Sequence, residues 1–260
     1  MPTYLDAIVA AHRSAAARDD RRLGELADRV DESDPVRGFT AALKTPDLSV
    51  IAEIKRRSPS KGDLAPDLVP EALAAAYESG GASCLSVLTD VDHFGGSPDD
   101  LRRARAACRL PVLRKDFTVD VRDVVDARLM GADAVLLIVA ALDDGELRRF
   151  LSAAYDLGID ALVEVHDAVE LERALEIGAT LVGVNQRDLT TFAVDHELAA
   201  RLRPLIPPEV VAVAESGVRG AADARALAEA GYDAVLVGET LVTSADPAAE
   251  VARLRDRSCS

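Results

Sequence analysis

In Gly131-Ala132-Asp133-Ala134-Val135-Leu136-Leu137-Ile138-Val139, a glycine that can end a helix is followed directly by a strand of aliphatic residues. Glycine adopts the left-handed conformation that caps helix carbonyls without strain. A near-continuous aliphatic run indicates a strand covered on both faces, as in a parallel sheet. Similar junctions recur at Gly80, Gly158, Gly178 and Gly231. This recurrence, at roughly 26 residues per unit, predicts repeated strand–helix modules.

Eight such modules follow one another along the chain. The predicted strands are Leu48–Ile54, Ser83–Leu88, Pro111–Lys115, Asp133–Val139, Asp160–His166, Thr180–Gln186, Glu209–Glu215 and Asp233–Gly238. Amphipathic patterns between them predict helices at Pro70–Ser79, Leu101–Cys108, Val121–Met130, Glu146–Leu157, Val169–Ile177, His196–Leu202 and Ala221–Ala230. Eight modules without a ninth indicate a closed (β/α)8 TIM barrel. An open doubly wound sheet is the alternative, but it normally carries a GxGxxG fingerprint, and this sequence has none.

The first part of the chain does not follow this repeat. We expect residues 1–47 to form a helical extension packed on the barrel, with residues 48–260 forming the barrel itself and the whole making one domain. Thr3 can cap the first helix, with Asp6 at the third helical position. His12 lies on the same helix, where we expect it at the surface or at an interface.

Composition limits the classes of function. The chain has 260 residues, 49% hydrophobic, and a formal net charge of -15, which argues against nucleic-acid and anionic-membrane partners. Cys84, Cys108 and Cys259 are far apart and form no CxxC motif, which favours a reducing compartment over disulfides or a zinc site. No signal-peptide pattern and no run near the roughly 18 apolar residues of a membrane span is present. We therefore expect a soluble cytoplasmic protein.

One basic segment contrasts with the acidic chain. Lys55-Arg56-Arg57-Ser58-Pro59-Ser60-Lys61-Gly62 follows the first predicted strand directly. Glu53 and Lys55 lie inside or just beyond that strand, where charges are disfavoured unless they are paired or functional. The segment predicts a site for an anionic small molecule, although a solvated basic turn is the simpler alternative.

Polar residues occupy most predicted strand ends, which is where TIM-barrel enzymes carry their reactive groups. Six of the eight ends have them, namely Glu53 and Lys55, Arg114–Asp116, Glu164 and His166, Asn185 and Arg187, Glu215–Gly217, and Gly238 with Glu239. The set includes two lysines, Lys55 and Lys115, and two glutamates, Glu53 and Glu164. Such a mixed cluster can supply an acid and a base, while a group of structural ion pairs is the alternative.

Two further features suggest substrate contacts. The turns at Glu215-Ser216-Gly217 and Gly238-Glu239 resemble the phosphate-binding corner of many barrels, where backbone N–H groups hold the phosphate. Glycine is also common in such turns for conformational reasons alone. Aromatic residues are scarce, at 3% of the chain, so Phe94 and Phe117 are the candidates to contact a flat substrate ring.

Together these residues resemble the indole-3-glycerol phosphate synthase family of tryptophan biosynthesis, over about residues 48–242. The matching segments are Ile51–Lys55, Ser58–Gly62, Leu85–Asp90, Pro111–Phe117, Gly131–Ala134, Leu162–His166, Gly183–Asn185, Arg187–Leu189 and Ala214–Gly217. The resemblance implies a TIM-barrel lyase that acts on 1-(2-carboxyphenylamino)-1-deoxyribulose 5-phosphate. The product is indole-3-glycerol phosphate, formed with loss of carbon dioxide and water. The resemblance implies neither a cofactor nor a metal.

The resemblance also implies roles for single residues. Lys115 is the general acid, Glu164 the base and Glu53 its catalytic partner. Lys55 polarises oxygens or binds the acid groups of the substrate. Substrate binding is assigned to Ser58, Phe94, Phe117, Asn185 and Arg187, and phosphate binding to Lys55, Glu215, Ser216, Gly217, Gly238 and Glu239.

The same reasoning gives two physical expectations. Burial and neighbouring cations are expected to lower the pKa of the catalytic lysine, which would aid proton donation. The loop Arg56–Gly62 is expected to be mobile without ligand and to close over the carboxylate end of the substrate.

Three other functions stay open on the sequence alone. A strand-end lysine also suits a Schiff-base lyase, and an acid–base pair suits a sugar-phosphate isomerase. A barrel retained only for binding is the non-enzymatic alternative. In each case the expected partner is an anionic small molecule, without nucleic acid or membrane, and the chain is expected to be a monomer or a weak homo-oligomer.

Overall fold

The computed structural model describes residues 3–256 and is built around a closed barrel of parallel strands. The strands are β1 (Ser49–Ile54), β2 (Cys84–Leu88), β3 (Val112–Lys115), β4 (Ala134–Ile138), β5 (Asp160–Val165), β6 (Leu181–Asn185), β7 (Val211–Glu215) and β8 (Ala234–Val237). Each strand pairs with its neighbours in sequence, and β8 closes the barrel by pairing with β1, with Val235 opposite Val50. The predicted TIM barrel is confirmed, and every strand boundary lies within two residues of its prediction.

Helices pack around the barrel and across its two ends. They are α1 (Tyr4–Ala16), α2 (Leu23–Asp28), α3 (Phe39–Leu43), α4 (Pro70–Ser79), α5 (Val91–Phe94), α6 (Pro98–Ala107), α7 (Val121–Met130), α8 (Asp144–Asp156), α9 (Ala168–Glu176), α10 (Leu198–Leu202), α11 (Ala221–Glu229), α12 (Glu239–Val242) and α13 (Pro247–Arg255). The helix α6 begins earlier than predicted because Ser97 caps it and Pro98 occupies its first position. The sequence pattern did not indicate α5, α12 or α13.

Glycine ends the helices as the junctions predicted. Gly131 has φ +90°, and its N–H donates to Ala127 and Arg128 carbonyls at the end of α7. At the Gly80-Gly81 junction the left-handed residue is Gly81, with φ +88°, whereas Gly80 keeps the right-handed helical conformation. A side chain at either left-handed position would be strained, so these junctions favour glycine.

The N-terminal segment contacts both ends of the barrel. The capping box predicted for Thr3 and Asp6 is present at the start of α1. Arg13, in the same helix, pairs with Glu146 of α8 at 2.6 Å. At the opposite end, the fully buried side chains of Phe39 and Leu43 in α3 join the apolar cluster inside the barrel. The boundary between residues 47 and 48 stays a prediction.

Two expectations from composition concern membranes and cysteines. Within residues 3–256, none of the helices is both long and apolar enough to cross a membrane. Cys84 and Cys108 are buried free thiols. Cys259 lies outside the described residues.

Candidate active site

The alternation of the strands places the reactive side chains inside the barrel. Side chains two residues apart on a strand point to the same face of the sheet. If one of them faces the interior of the barrel, the one two positions later also faces inward. Ile51, Leu113 and Leu162 belong to the apolar cluster that fills the interior. The charged residues two positions further on are Glu53, Lys115 and Glu164, and all three line one cavity at the carboxyl ends of the strands. Its volume is about 630 Å³.

The cavity floor holds a cluster of opposite charges. The ammonium of Lys115 lies 3.0 Å from Glu164 Oε2 and 3.7 Å from Glu215 Oε2. On the other side of the barrel, Lys55 donates to Glu53 Oε1, and Ser86 Oγ lies 3.5 Å from Glu53 Oε2. We name these five groups, Glu53, Lys55, Lys115, Glu164 and Glu215, the charge cluster.

The pKa of Lys115 departs from its expected direction. Burial alone acts to lower the pKa, but the carboxylates of Glu164, Glu215 and Glu53 outweigh it and raise the pKa above that of an ordinary lysine. The expectation of a lowered lysine pKa is therefore wrong. The physical reason is that carboxylates, not cations, surround this ammonium, so its charged form is stabilised.

The two glutamates nearest to Lys115 have pKa values shifted in opposite directions. Burial acts to raise the pKa of Glu164, but Lys115 and His166 outweigh it and lower the pKa. Burial and the neighbouring Glu164 raise the pKa of Glu215 to about 8. One carboxyl group is thus held as an ionised base while the other favours its protonated form, which is a common pattern in acid–base sites.

Glu215 does not lie where the sequence suggested. Its carboxylate faces Lys115 Nζ at 3.7 Å, and its side chain is buried. Gly183 makes room for it, because a Cβ at residue 183 would overlap Glu215 Oε1. We therefore move the Glu215 side chain from the predicted phosphate site to the charge cluster.

The turn after β7 combines with the end of β8 to form the predicted phosphate corner. Ser216 and Gly217 both have left-handed conformations, with φ +63° and +76°. Within residues 3–256, Ser216 is one of two residues other than glycine with a positive φ. Thr240 Oγ1 donates to the carbonyl of Val218 at 2.8 Å, which joins this turn to α12. A side chain at Gly238 would overlap the present position of the Glu53 carboxylate, so this glycine leaves room for it.

Glu239, also predicted at this corner, lines the cavity from the start of α12. Its carboxylate lies 3.5 Å from Lys61 Nζ, and its side chain is half exposed. The lysine offsets the negative charge of Glu239 next to the corner. Lys55, directly after β1, also reaches this region, since its Nζ would lie 3.1 Å from a Cβ at Gly238.

The basic segment after β1 is divided into two parts. Lys55, Ser58 and Lys61 line the cavity. Arg56 instead pairs with Asp100 of α6, and Arg57 donates to the carbonyl of His93 at 3.2 Å. The two arginines therefore attach the base of the loop to the neighbouring module, while the other residues of the segment, apart from Gly62, face the cavity. The tip forms a short antiparallel hairpin, Arg57–Ser58 with Gly62–Asp63.

Aromatic and apolar side chains form the opposite wall. Phe94 and Phe117 both line the cavity, with ring centroids 6.3 Å apart. Sequence reasoning missed the contributions of Tyr4 and Ile8 from α1 and of Phe192 from the loop after β6. The amphipathic pattern of α1 was visible in the sequence, but it could not show which part of the barrel this helix covers.

Asn185 and Arg187 lie at the end of β6, and both line the cavity. Asn185 Oδ1 accepts a hydrogen bond from the Arg187 backbone N–H at 3.0 Å, which leaves its amide group able to donate to a ligand. Arg187 Nη1 donates to the carbonyl of Phe192 at 3.0 Å. All the predicted site residues therefore border one cavity, with the Glu215 side chain on its floor.

Comparison with known proteins adds four findings. A family model described as indole-3-glycerol phosphate synthase matches residues 5–254. The "Indole-3-glycerol phosphate synthase 2" of Streptomyces coelicolor is 55% identical, over 90% of this chain and 90% of its own. The indole-3-glycerol phosphate synthase of Chlorobium luteolum is 50% identical, over 93% of this chain and 94% of its own. A thiamine phosphate pyrophosphorylase from Pyrococcus furiosus, at 18% identity and a TM-score of 0.61, covers 80% of this chain and 94% of its own and shares the fold alone.

Proposed function

Because this chain belongs to the indole-3-glycerol phosphate synthase family, we propose which of its side chains carry that reaction. The chain is a carboxy-lyase of tryptophan biosynthesis. It closes the indole ring of 1-(2-carboxyphenylamino)-1-deoxyribulose 5-phosphate with loss of carbon dioxide and water. The observation that carries the assignment of roles is the position of Lys115, 3.0 Å from Glu164 on the floor of the cavity.

Lys115 is the general acid of ring closure. The aryl carbon that bears the carboxylate attacks the sugar ketone, and the ketone oxygen develops negative charge. Because the neighbouring carboxylates raise the pKa of Lys115, the ammonium is fully protonated at neutral pH. It stabilises the developing alkoxide and transfers its proton as that oxygen becomes strongly basic.

Glu164 is the base of the later dehydration. Loss of carbon dioxide restores the aromatic ring, after which a carbon-bound proton and the new hydroxyl group must leave as water. Glu164 is ionised and can accept that proton, since Lys115 and His166 lower its pKa against the effect of burial. The pair of Glu53 and Lys55 faces the same space and supplies the acid side of the step.

The remaining residues hold the two ends of the substrate. Phe94 and Phe117 contact the anthranilate ring, and Ser58, Asn185 and Arg187 bind or orient the polar groups near it. The phosphate lies at the corner made by Ser216, Gly217, Gly238, Glu239 and the ammonium of Lys55. The loop Arg56–Gly62 closes over the carboxylate end, moving at its tip because Arg56 and Arg57 attach its base.

The decisive test is the variant Lys115→Ala, assayed by the indole fluorescence that appears on turnover. We expect kcat to fall by about 10²–10⁴-fold, the usual contribution of a positioned acid. Circular dichroism should show an intact barrel. The matched control is Lys44→Ala, an exposed lysine outside the cavity, which should keep full activity. Near-normal turnover of Lys115→Ala would remove Lys115 from this role.

A Schiff-base mechanism is disfavoured by the same geometry. An imine forms only from an uncharged amine, and the carboxylates around Lys115 stabilise the ammonium instead. Borohydride added during turnover should leave no covalent adduct on Lys115 or Lys55. A mass increase on either lysine would support the lyase alternative.

Location and assembly are also proposals. The chain acts in the cytoplasm, which agrees with the free thiols of Cys84 and Cys108. It is a monomer or a weak homo-oligomer, because the exposed large apolar residues, among them Val69 before α4, Tyr155 in α8 and Val169 in α9, belong to separate elements. Light scattering after size exclusion at micromolar concentration tests this, and a stable dimer there would contradict it.

A further inference from the structure

His166 lies beside the proposed base but outside the cavity. It follows Glu164 by two residues at the end of β5, and its side chain is only 15% exposed. Its Nε2 lies 3.4 Å from Glu164 Oε1, and its Nδ1 lies 3.0 Å from Glu170 Oε2 in α9. The imidazole ring therefore joins the proposed base to a second carboxylate on the outer helix.

The hydrogens on this ring follow from its partners. Glu170 Oε2 accepts a hydrogen bond from the backbone N–H of His166 at 2.8 Å. An ionised carboxylate can only accept hydrogen bonds, so the His166 Nδ1 that faces the same oxygen must carry a hydrogen. His166 Nε2 makes no hydrogen bond of good geometry within residues 3–256. If Nε2 carried no hydrogen, its lone pair would lie close to the negatively charged Glu164 carboxylate and would be repelled by it. A protonated Nε2 is instead attracted to that carboxylate. The arrangement therefore favours the doubly protonated, cationic ring.

The other charges around the ring have the same effect. Glu164 on β5 and Glu170 on α9 face it directly. The pKa of Asp188, in the loop after β6, is lowered mainly by the backbone N–H groups of Thr191 and Thr190, and His166 adds a smaller effect in the same direction. Burial acts to lower the pKa of His166, but the nearby carboxylates of Glu164 and Glu170 outweigh it and raise the pKa to about 10. The ring is therefore charged throughout the neutral pH range.

This second cation matters most when Lys115 is neutral. In the proposed mechanism Lys115 gives its proton to the ketone oxygen, which removes the main partner of Glu164 while Glu215 remains close by. Without another cation, Glu164 would take up a proton before it is needed as a base. His166 carries no proton in the reaction and keeps its charge through this step.

We propose that His166 is a positioning residue whose imidazolium holds Glu164 ionised and correctly oriented for dehydration. The inference rests on the proposed role of Glu164 as the base. It assigns to His166 an effect on the protonation of Glu164 and no contact with the substrate.

The experiment compares the pH dependence of kcat, measured at saturating substrate, in His166→Asn, His166→Lys and the wild type, because kcat reports groups that act after the substrate has bound. At low pH activity falls as Glu164 becomes protonated, and this part of the pH profile is the acidic limb. His166→Asn removes the positive charge beside Glu164, so the acidic limb should move to higher pH by about 1–3 units, the usual effect of one adjacent opposite charge. KM for the substrate at pH 8 should change by less than about twofold, since the ring does not line the cavity. His166→Lys restores a cation and should return the limb toward its wild-type position.

Two further variants make the test specific. Glu170→Gln keeps an acceptor for the ring but removes its charge, so it should move the limb in the same direction by a smaller amount. His93→Asn removes another half-buried histidine, which pairs with Asp90 at 3.1 Å, and should leave the limb in place. An unmoved acidic limb in a folded His166→Asn variant would overturn the inference. Full activity of Glu164→Gln would instead overturn the proposed role of the base itself.

Discussion

At the lower end of the barrel, where the strands begin, the carboxylate of Asp133 is surrounded by hydrogen-bond donors. At the mouth, where the strands end, the carboxylate of Glu215 is not. Asp133 Oδ1 accepts the backbone N–H of Arg37 at 2.7 Å. Its Oδ2 accepts the backbone N–H of Val112 at 2.8 Å and Arg105 Nη1 at 2.5 Å. Glu215 Oε1 has no hydrogen-bond partner within residues 3–256.

Both carboxylates are buried, at 1% and 2% exposure, so burial alone does not distinguish a structural charge from a functional one. What differs is whether each oxygen has a donor of its own. A fully bonded carboxylate stabilises the chain segments that it joins. An incompletely bonded one keeps the ability to gain or lose a proton, or to meet a ligand. This difference predicts that changes at the two ends affect different properties.

The largest expected effect is on catalysis at the mouth. Glu164→Gln keeps the size of the side chain but removes the base, so kcat should fall by about 10²–10⁴-fold. The free energy of unfolding should change less than in Asp133→Asn, measured by urea denaturation. A variant that keeps its activity but loses stability would reverse the contrast between the two ends.

The next effect is on stability at the lower end. Asp133→Asn leaves the buried Arg105 without its anion, and we expect the free energy of unfolding to fall by about 3 kcal/mol. Activity of the folded enzyme, measured at low temperature, should stay within about twofold of the wild type. The control is Asp126→Asn, a more exposed partner of Arg21, which should cost less than about 1 kcal/mol. Equal losses in both variants would contradict the contrast.

A smaller effect concerns the pH dependence of stability. The pKa of Glu215 in the folded state, about 8, lies above the roughly 4.3 of an unfolded glutamate. Its contribution to stability is therefore complete below about pH 4 and is lost as the pH rises through about 8. Glu215→Gln cannot ionise, so its stability relative to the wild type should increase between pH 6 and pH 9.

Urea denaturation at the two pH values measures this change. The exposed residue Glu176 provides the control, because Glu176→Gln should show the same difference from the wild type at both. If the free energy of unfolding of Glu215→Gln also differs from that of the wild type by the same amount at both pH values, Glu215 is already ionised at pH 6. Its carboxylate would then be stabilised by donors, as that of Asp133 is.

The smallest expected effect is at the helix that covers the mouth. Thr3→Ala removes the cap of α1, which costs about 1 kcal/mol of helix stability. Because Tyr4 and Ile8 of α1 line the cavity, KM should rise by at most about fivefold while kcat changes little. Asp246→Ala removes a similar cap from α13, away from the cavity, and should leave KM unchanged. A rise in KM of the same size in both variants would argue against a role for α1.

Most of the barrel could be predicted because its signals are local. An aliphatic run followed by a polar residue fixes where a strand lies, and a glycine fixes where the preceding helix ends. The period of two along a strand then places Glu53 above Ile51 and Lys115 above Leu113 without any knowledge of their neighbours. For this reason the strand boundaries agree within two residues.

The sequence-based predictions that were wrong or incomplete concern properties that depend on neighbours from other strands and helices. The pKa of Lys115 rises because Glu164 and Glu215 reach it from β5 and β7, which no single segment reveals. The division of the basic segment was also hidden, because the pairing of Arg56 with Asp100 in α6 joins residues far apart in sequence. Tyr4 and Ile8 were missed because their position depends on how α1 packs, and not on its own periodicity.

The sequence alone determined the barrel, the family and the reactive residues at the strand ends, since each of these depends on short stretches of chain. Only the tertiary structure decided the protonation states of these residues. The electrostatic energy of a buried group depends on distances of a few ångströms to charges far away in sequence. Thus the identity of Glu215 can be read from one segment, but its preference for a proton arises from burial beside Glu164.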